Sequence, residues 1–190
     1  ALVLDFPDDV CVHALLCRFW MPADHIAKRS REDRAPYDVW VRDGYITATP
    51  GNWIDFDIIR RDIVELAKVY NIAEIGFDRW GAVQLQTQLA GDGMVVVPIG
   101  QGFASLAAPT KEFERLLAGG KLRHGGNPVL AWMAANVAVE QDAAGNVKPA
   151  KDKSREKIDG IVAAIMAIDR ATRHEGDGVS VYETRGMRYI

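Results

Sequence analysis

The chain has 190 residues, 48% of them hydrophobic and 26% charged, with a net charge of −3 at pH 7. That length supports one domain with a substantial core and is too short for two comfortable ones. The charge balance excludes a protein that coats nucleic acid non-specifically, yet it leaves room for a local basic groove, because patches rather than totals steer ligands. No apolar run approaches the roughly 18 residues of a membrane span and no signal peptide is visible, so a soluble, cytoplasmic protein without membrane contact is expected.

Residues 1–21 hold two apolar runs, ALVLDF and VCVHALLCRFWM, separated by Pro7-Asp8-Asp9. This predicts a β-hairpin whose turn carries Asp8 and Asp9, with Asp5 following a strand of its own. Cys11 and Cys17, six apart in the second run, are expected on one side of a strand, reduced, and without metal or redox spacing. Residues 23–34 predict a polar helix and loop in which Lys28, Arg29, Arg31 and Arg34 read first as a solvated face and second as phosphate contacts. A short helix from Pro36 and a strand over Tyr45–Thr49 follow.

From Asp55 to Tyr70, Ile58, Ile59, Ile63, Leu66, Ala67 and Tyr70 recur at helical spacing. Asp55 and Asp57 fall in the first turn, where capping suits them better than metal ligation. Residues Ala73–Gly81, AEIGFDRWG, then read as a buried strand ending on Asp78, followed by a helix over Ala82–Leu89 and a strand over Met94–Val97. The order α-β-α-β predicts parallel strands with crossover helices. Residues 99–109 are expected as a loop, with Thr110 opening a helix to Ala118. An extended piece over Leu122–His124, a helix from Asn127-Pro128 to Ala135, and an extended Val137–Glu140 turning at Asp142–Asn146 come next. The stretch VKPAKDKSREK, residues 147–157, is the densest basic run. A last long helix runs to Thr172, and 176–190 form a tail that adds a strand or stays mobile.

Two acids carry the chemical reading. Asp78 ends a strand just before a helix, where open α/β sheets place their chemistry; as a residue by itself it serves equally well as a helix cap. Asp159 lies on the rim of an apolar helix face made by Ile158, Ile161, Val162, Ile165 and Ile168. An acid aimed along a core edge needs a positive partner, either a neighbouring lysine or a metal ion. Asp169 is about 15 Å further along the same helix and is expected where that helix leaves the core. One carboxylate from a strand end and one from a packed helix is a pattern of two-metal phosphoryl sites. Mg²⁺ or Mn²⁺ takes oxygen ligands there, and two ions about 4 Å apart serve phosphodiester cleavage. Lys148, Lys151, Lys153 and Arg155, just before Asp159, are the expected DNA-backbone contacts. GxG triplets at Gly91, Gly100 and Gly176 read as turns, and no Gly-x-x-x-x-Gly-Lys-Ser/Thr loop of an ATPase motor occurs.

The segment from about Ile54 to Thr172 resembles the nuclease domain of tailed-bacteriophage terminase large subunits. The resemblance rests on IGFDRWGA and on the run KLRHGGNPVLAWMAANVAVEQDAAGNVKPAKDKSREKIDGIVAAIMAIDRA. It implies an α/β fold of the RNase H-like kind, a mixed central sheet flanked by helices, over residues 1–175. It also implies that Asp78 and Asp159 bind Mg²⁺ or Mn²⁺ in an endonuclease that cuts concatemeric viral DNA during packaging. Asn136, His124 and Lys151 lie in matching stretches, as groups supporting the ligands or touching DNA. Partners implied are double-stranded DNA, the terminase ATPase domain, the small terminase subunit and the portal protein. Such domains begin with a strand bearing the first metal-binding aspartate. This chain is expected to start after that strand, with Asp5 a poor replacement. Two other readings remain: a non-catalytic DNA-clamp or portal-docking module, and another RNase H-like enzyme such as a resolvase or transposase, against which the His-Gly-Gly-Asn-Pro to Lys-Ile-Asp-Gly stretch speaks.

Overall fold

The computed structural model describes residues 1–79 and 81–176. Apart from Gly176, the expected tail over 176–190 therefore lies outside the described residues. Strands β1 (Leu2–Pro7) and β2 (His13–Pro22) form the expected antiparallel hairpin, with Asp5 opposite Leu15. Asp8 organises the turn: its Oδ1 accepts from the Val10 amide at 3.0 Å and the Val12 amide at 2.7 Å. Cys11 belongs to that turn, with φ +58°, and is exposed, whereas Cys17 is buried within β2. The two cysteines thus do not share a strand face. Burial pushes the Cys17 thiol up to about 11, which keeps it protonated and inert.

The long β2 organises a four-stranded mixed sheet. Its C-terminal half pairs in parallel with β3 (Ile46–Thr49), and its first residues pair in parallel with β6 (Leu122–Arg123). Between β2 and β3 run two short helices, α1 (Ile26–Glu32) and α2 (Tyr37–Arg42). Helix α3 (Phe56–Val69) starts on Asp55, whose carboxylate accepts from the Asp57 and Ile58 amides, the capping role expected of it.

Then come β4 (Ile75–Asp78), α4 (Val83–Gly91) and β5 (Val96–Ile99), with β4 and β5 parallel, as the alternation of apolar segments predicts. Helix α5 (Phe103–Ala118) is longer than expected. The segment read as a Gly/Ala/Pro loop supplies its first two turns, and Pro109 sits inside the helix. Thr110 is therefore no cap; its buried hydroxyl donates back to the Leu106 carbonyl at 2.6 Å. Asn127 caps α6 (Pro128–Asn136) by accepting from the Val129 and Leu130 amides. A hairpin of β7 (Val139–Gln141) and β8 (Val147–Pro149) leads to α7 (Asp159–Gly176).

Helix α7 is the keystone because its apolar face is buried almost without interruption. Ile158, Ala164, Ile165 and Ile168 are each no more than 2% exposed, and the first three join Phe19 of β2, Leu106 of α5 and Val129 of α6 in the main core. An aromatic cluster of Tyr37, Trp40 and Trp132 closes that core beside α2. A second, smaller core of Ile63, Ile75, Leu85 and Leu89 lies between α3, β4 and α4, and Leu2 of β1 packs against it. Among the described residues no helix is long and apolar enough to cross a membrane.

Candidate metal centre and nucleic-acid interface

A cavity of about 760 Å³ runs between β1, β4, α3 and α7. Its walls carry Asp78, Asp159 and Lys151, and also Asp5. The two acids expected to be spatial neighbours therefore face one space. Asp78 is the last residue of β4 and half-buried. It does not cap α4: that helix opens at Ala82, in a left-handed conformation with φ +51° and without a side-chain cap. The Asp78 carbonyl instead accepts from the Gly81 amide at 3.0 Å, turning the chain sharply away from the strand end.

Asp159 is the first residue of α7, where the positive end of the helix dipole favours a carboxylate. The sequence left a lysine or a metal as its partner, and the structure supplies the lysine: Lys151 Nζ lies 2.8 Å from Asp159 Oδ1. Burial pushes the Asp159 carboxyl upward. The hydrogen bond and charge of Lys151, with help from Lys157, outweigh that and hold it below the ordinary carboxylate value. Its neighbour Gly160 explains how the acid is fixed. A Cβ there would lie 2.8 Å from Phe19 Cε1 and 2.9 Å from Met133 Sδ, so only glycine lets the first turn of α7 settle on the core.

Asp5 lies within β1 rather than after it. Its side chain is 2% exposed and accepts from His13 Nδ1 at 2.8 Å. His13 sits two residues from Leu15, the residue opposite Asp5, so the pair bridges the hairpin diagonally on one face. The sequence reading set this acid aside as a poor replacement for the first aspartate because it placed Asp5 after the strand; the alternation Val3-Asp5 on one face was the signal for its place within it.

The basic run divides into two groups. Lys148 and Lys153 both turn to Glu140 on the β7–β8 hairpin, at 2.5 and 3.3 Å. Lys151, Arg155 and Lys157 instead line a second cavity of about 260 Å³, with Arg29 from α1. That cavity shares Lys151 and Asp159 with the larger one, so the two adjoin at the head of α7. Asn136 and His124 line neither cavity. Asn136 instead accepts from the Arg155 amide at 3.3 Å through its carbonyl, and so helps hold the basic loop in place. His124 lies in the turn after β6, where its carbonyl accepts from the Asn127 amide. Asp169 pairs with Arg173 at 3.0 Å, further along α7.

Among the described residues no three His, Cys, Asp or Glu side chains gather closely enough to hold an ion. Asp5, Asp78 and Asp159 share a cavity without sharing a coordination sphere. The donor set still fits a hard divalent cation, since it consists of carboxylate oxygens alone, drawn from two strand positions and a helix start.

Comparison with known proteins gives a consistent result. Residues 1–175 match the family described as terminase large subunit, endonuclease domain. The chain is 38% identical over 173 residues to the terminase large subunit of Enterobacteria phage HK97, covering 90% of this chain and 34% of that protein. It is 35% identical over 182 residues to protein YmfN of Escherichia coli strain K12, covering 90% of this chain and 40% of that protein. The crystal structure of the HK97 bacteriophage large terminase superposes with a TM-score of 0.83 at 36% identity, over 88% of this chain and 36% of that one. The chain therefore spans between a third and two-fifths of the length of these relatives.

Proposed function

We propose, from the fact that this chain belongs to the family of terminase large subunit endonuclease domains and has their RNase H-like α/β fold, that it cuts double-stranded viral DNA by metal-dependent phosphodiester hydrolysis. Its role is to sever concatemeric DNA during packaging, alongside an ATPase domain, a small terminase subunit and a portal protein. The observation that carries this reading is the meeting of Asp5, Asp78 and Asp159 on one cavity, beside a pocket lined with arginine and lysine.

Asp78 and Asp159, with Asp5 on the same cavity, are the groups that would hold Mg²⁺ or Mn²⁺. Two such ions supply activation of water and neutralisation of charge on the leaving oxygen. The chain's own part is to orient. Asp78 is presented by the end of a strand, and Asp159 by a helix start that cannot slide, because Ile158 and Ile161 are buried on either side of it. Lys151 holds Asp159 Oδ1 and fills the place of a cation there. Cleavage is expected to show little base preference, since backbone contacts position DNA without reading it.

The test is Mn²⁺-dependent nicking of a supercoiled plasmid by Asp78→Ala and Asp159→Asn. Each variant should fall to the level of a metal-free control while remaining folded, with at most the small loss of stability that breaking the Lys151–Asp159 pair entails for Asp159→Asn. Wild-type nicking in both variants would reject these two acids. Stable DNA binding without any nicking by the unaltered chain would favour the docking-module reading.

A further inference from the structure

We infer that the pocket between α1 and the loop before α7, lined by Arg29, Arg155 and Lys157, is a subsite for a backbone phosphate of the DNA strand that lies across the acids. This rests on the nuclease reading and extends it, because it names a residue outside the basic run and gives the strand a path. The sequence grouped Lys148, Lys151, Lys153 and Arg155 as one DNA-contacting patch. The structure regroups them by their partners. Lys148 and Lys153 share the single negative charge of Glu140, and Lys151 pairs with Asp159. No ion pair joins Arg155 or Lys157 to an acid among the described residues, and both are exposed.

Arg29 comes from a different element, α1, and its position is set from behind. Asp33, only 5% exposed, lies 3.6 Å from Arg29 Nη1 and also accepts from the Tyr37 hydroxyl at 2.9 Å. A guanidinium steadied on one edge and 40% exposed offers its remaining donors to a phosphate with little ordering cost. The opposite wall is equally fixed. Ser154 accepts from the Ala138 amide at 3.0 Å and donates to the Ala150 carbonyl at 2.6 Å, and the Arg155 amide donates to Asn136. The pocket volume of about 260 Å³ equals roughly nine waters at about 30 Å³ each, which suits a phosphate group with part of its hydration shell. Glu156 and Asp159 also line it, and Asp159 is paired there with Lys151. Because Lys151 and Asp159 belong to both cavities, a strand with one phosphate here passes directly over the head of α7 into the acid-lined space.

The experiment is fluorescence anisotropy of the chain with a labelled DNA duplex in EDTA, across a series of salt concentrations. Each lost phosphate contact should reduce the slope of log K against log salt by about 0.9 and weaken binding about eightfold at 0.1 M salt. Arg29→Ala should lose one such step, and Arg155→Ala/Lys157→Ala about two. The charge-matched control Lys28→Ala/Lys68→Ala, on exposed lysines outside the pocket, should lose less than half a step. An unchanged slope in the pocket variants, or an equal loss in the control, overturns the subsite. So does displacement of the duplex by equimolar inorganic phosphate, which would mark a small-anion site instead. Failure here with intact Mn²⁺-dependent nicking leaves the nuclease reading standing. The expected slopes in a chain that does not nick would support the subsite and reject the nuclease.

Discussion

Gly160→Ala tests whether the head of α7 is held by close packing rather than by the ion pair of Asp159. Two opposing effects are involved. Alanine is favoured over glycine inside a helix by about 1 kcal/mol. Against that, the new methyl would meet Phe19 Cε1 at 2.8 Å, Met133 Sδ at 2.9 Å and Phe19 Cζ at 3.1 Å. Phe19 is 5% exposed and Met133 7%, so neither has open space to enter. Overpacking of this kind costs about 1–3 kcal/mol. The net loss is then about 1 kcal/mol, with a fall in Tm of about 2–4 °C for a chain of this size. The displacement should appear at residues 159 and 160, because Ile158 and Ile161 anchor the turn on both sides. Nicking should therefore drop more steeply than stability. Gly91→Ala is the internal control: it ends α4, has nothing within 4 Å of a new Cβ, and should be neutral or stabilising. Differential scanning calorimetry and plasmid nicking read the two effects. A Gly160→Ala protein as stable as the Gly91→Ala one, with unaltered nicking, would refute the packing argument.

His13→Ala removes the ring nitrogen 2.8 Å from the buried Asp5 carboxylate and should destabilise the fold by about 1–3 kcal/mol; a urea midpoint within error of wild type would show that the pair is not structural. Lys151→Ala removes the chief cause of the lowered Asp159 carboxyl, so its titration, followed by carbon NMR, should move upward. A carboxylate held below its unfolded value of 3.8 contributes stability that is present above that pH and lost as pH falls through the folded value. The variant should accordingly be less stable than wild type at neutral pH and match it in strong acid. The difference should be small, because the Asp159 side chain is 47% exposed and solvent screens the pair.

The parts of the fold legible in the sequence were those in which a residue's neighbours in the chain decide its structure. The Asp8 turn, the Asp55 and Asn127 caps and the parallel β4–α4–β5 unit follow from local spacing, and each is found where expected. Helix α5 failed for a local reason that tertiary packing overrode. Gly102, the alanines and Pro109 read as breakers, but Leu106, Ala107 and Pro109 are buried, and that burial stabilises a helix through the proline. Cys11 was assigned to the strand because no sequence rule foresaw a left-handed residue at the foot of the turn.

That Asp78 and Asp159 line one cavity was legible because each breaks an apolar pattern at an element's end, a place where a carboxylate needs an explanation. Asp5 was set aside in the sequence because its partner lies across the hairpin: His13 is eight residues away, and the pairing that joins them depends on a register set by the turn. Charge density hides a division in the same way. A run of five cations looks like one surface, yet Glu140 draws Lys148 and Lys153 onto a hairpin while Arg155 and Lys157 face Arg29, more than a hundred residues earlier in the chain. A carboxylate on a neighbouring strand, which spacing along the chain does not reveal, decides which lysines remain available to a phosphate. A basic cluster should therefore be apportioned only after each cation's acid has been found.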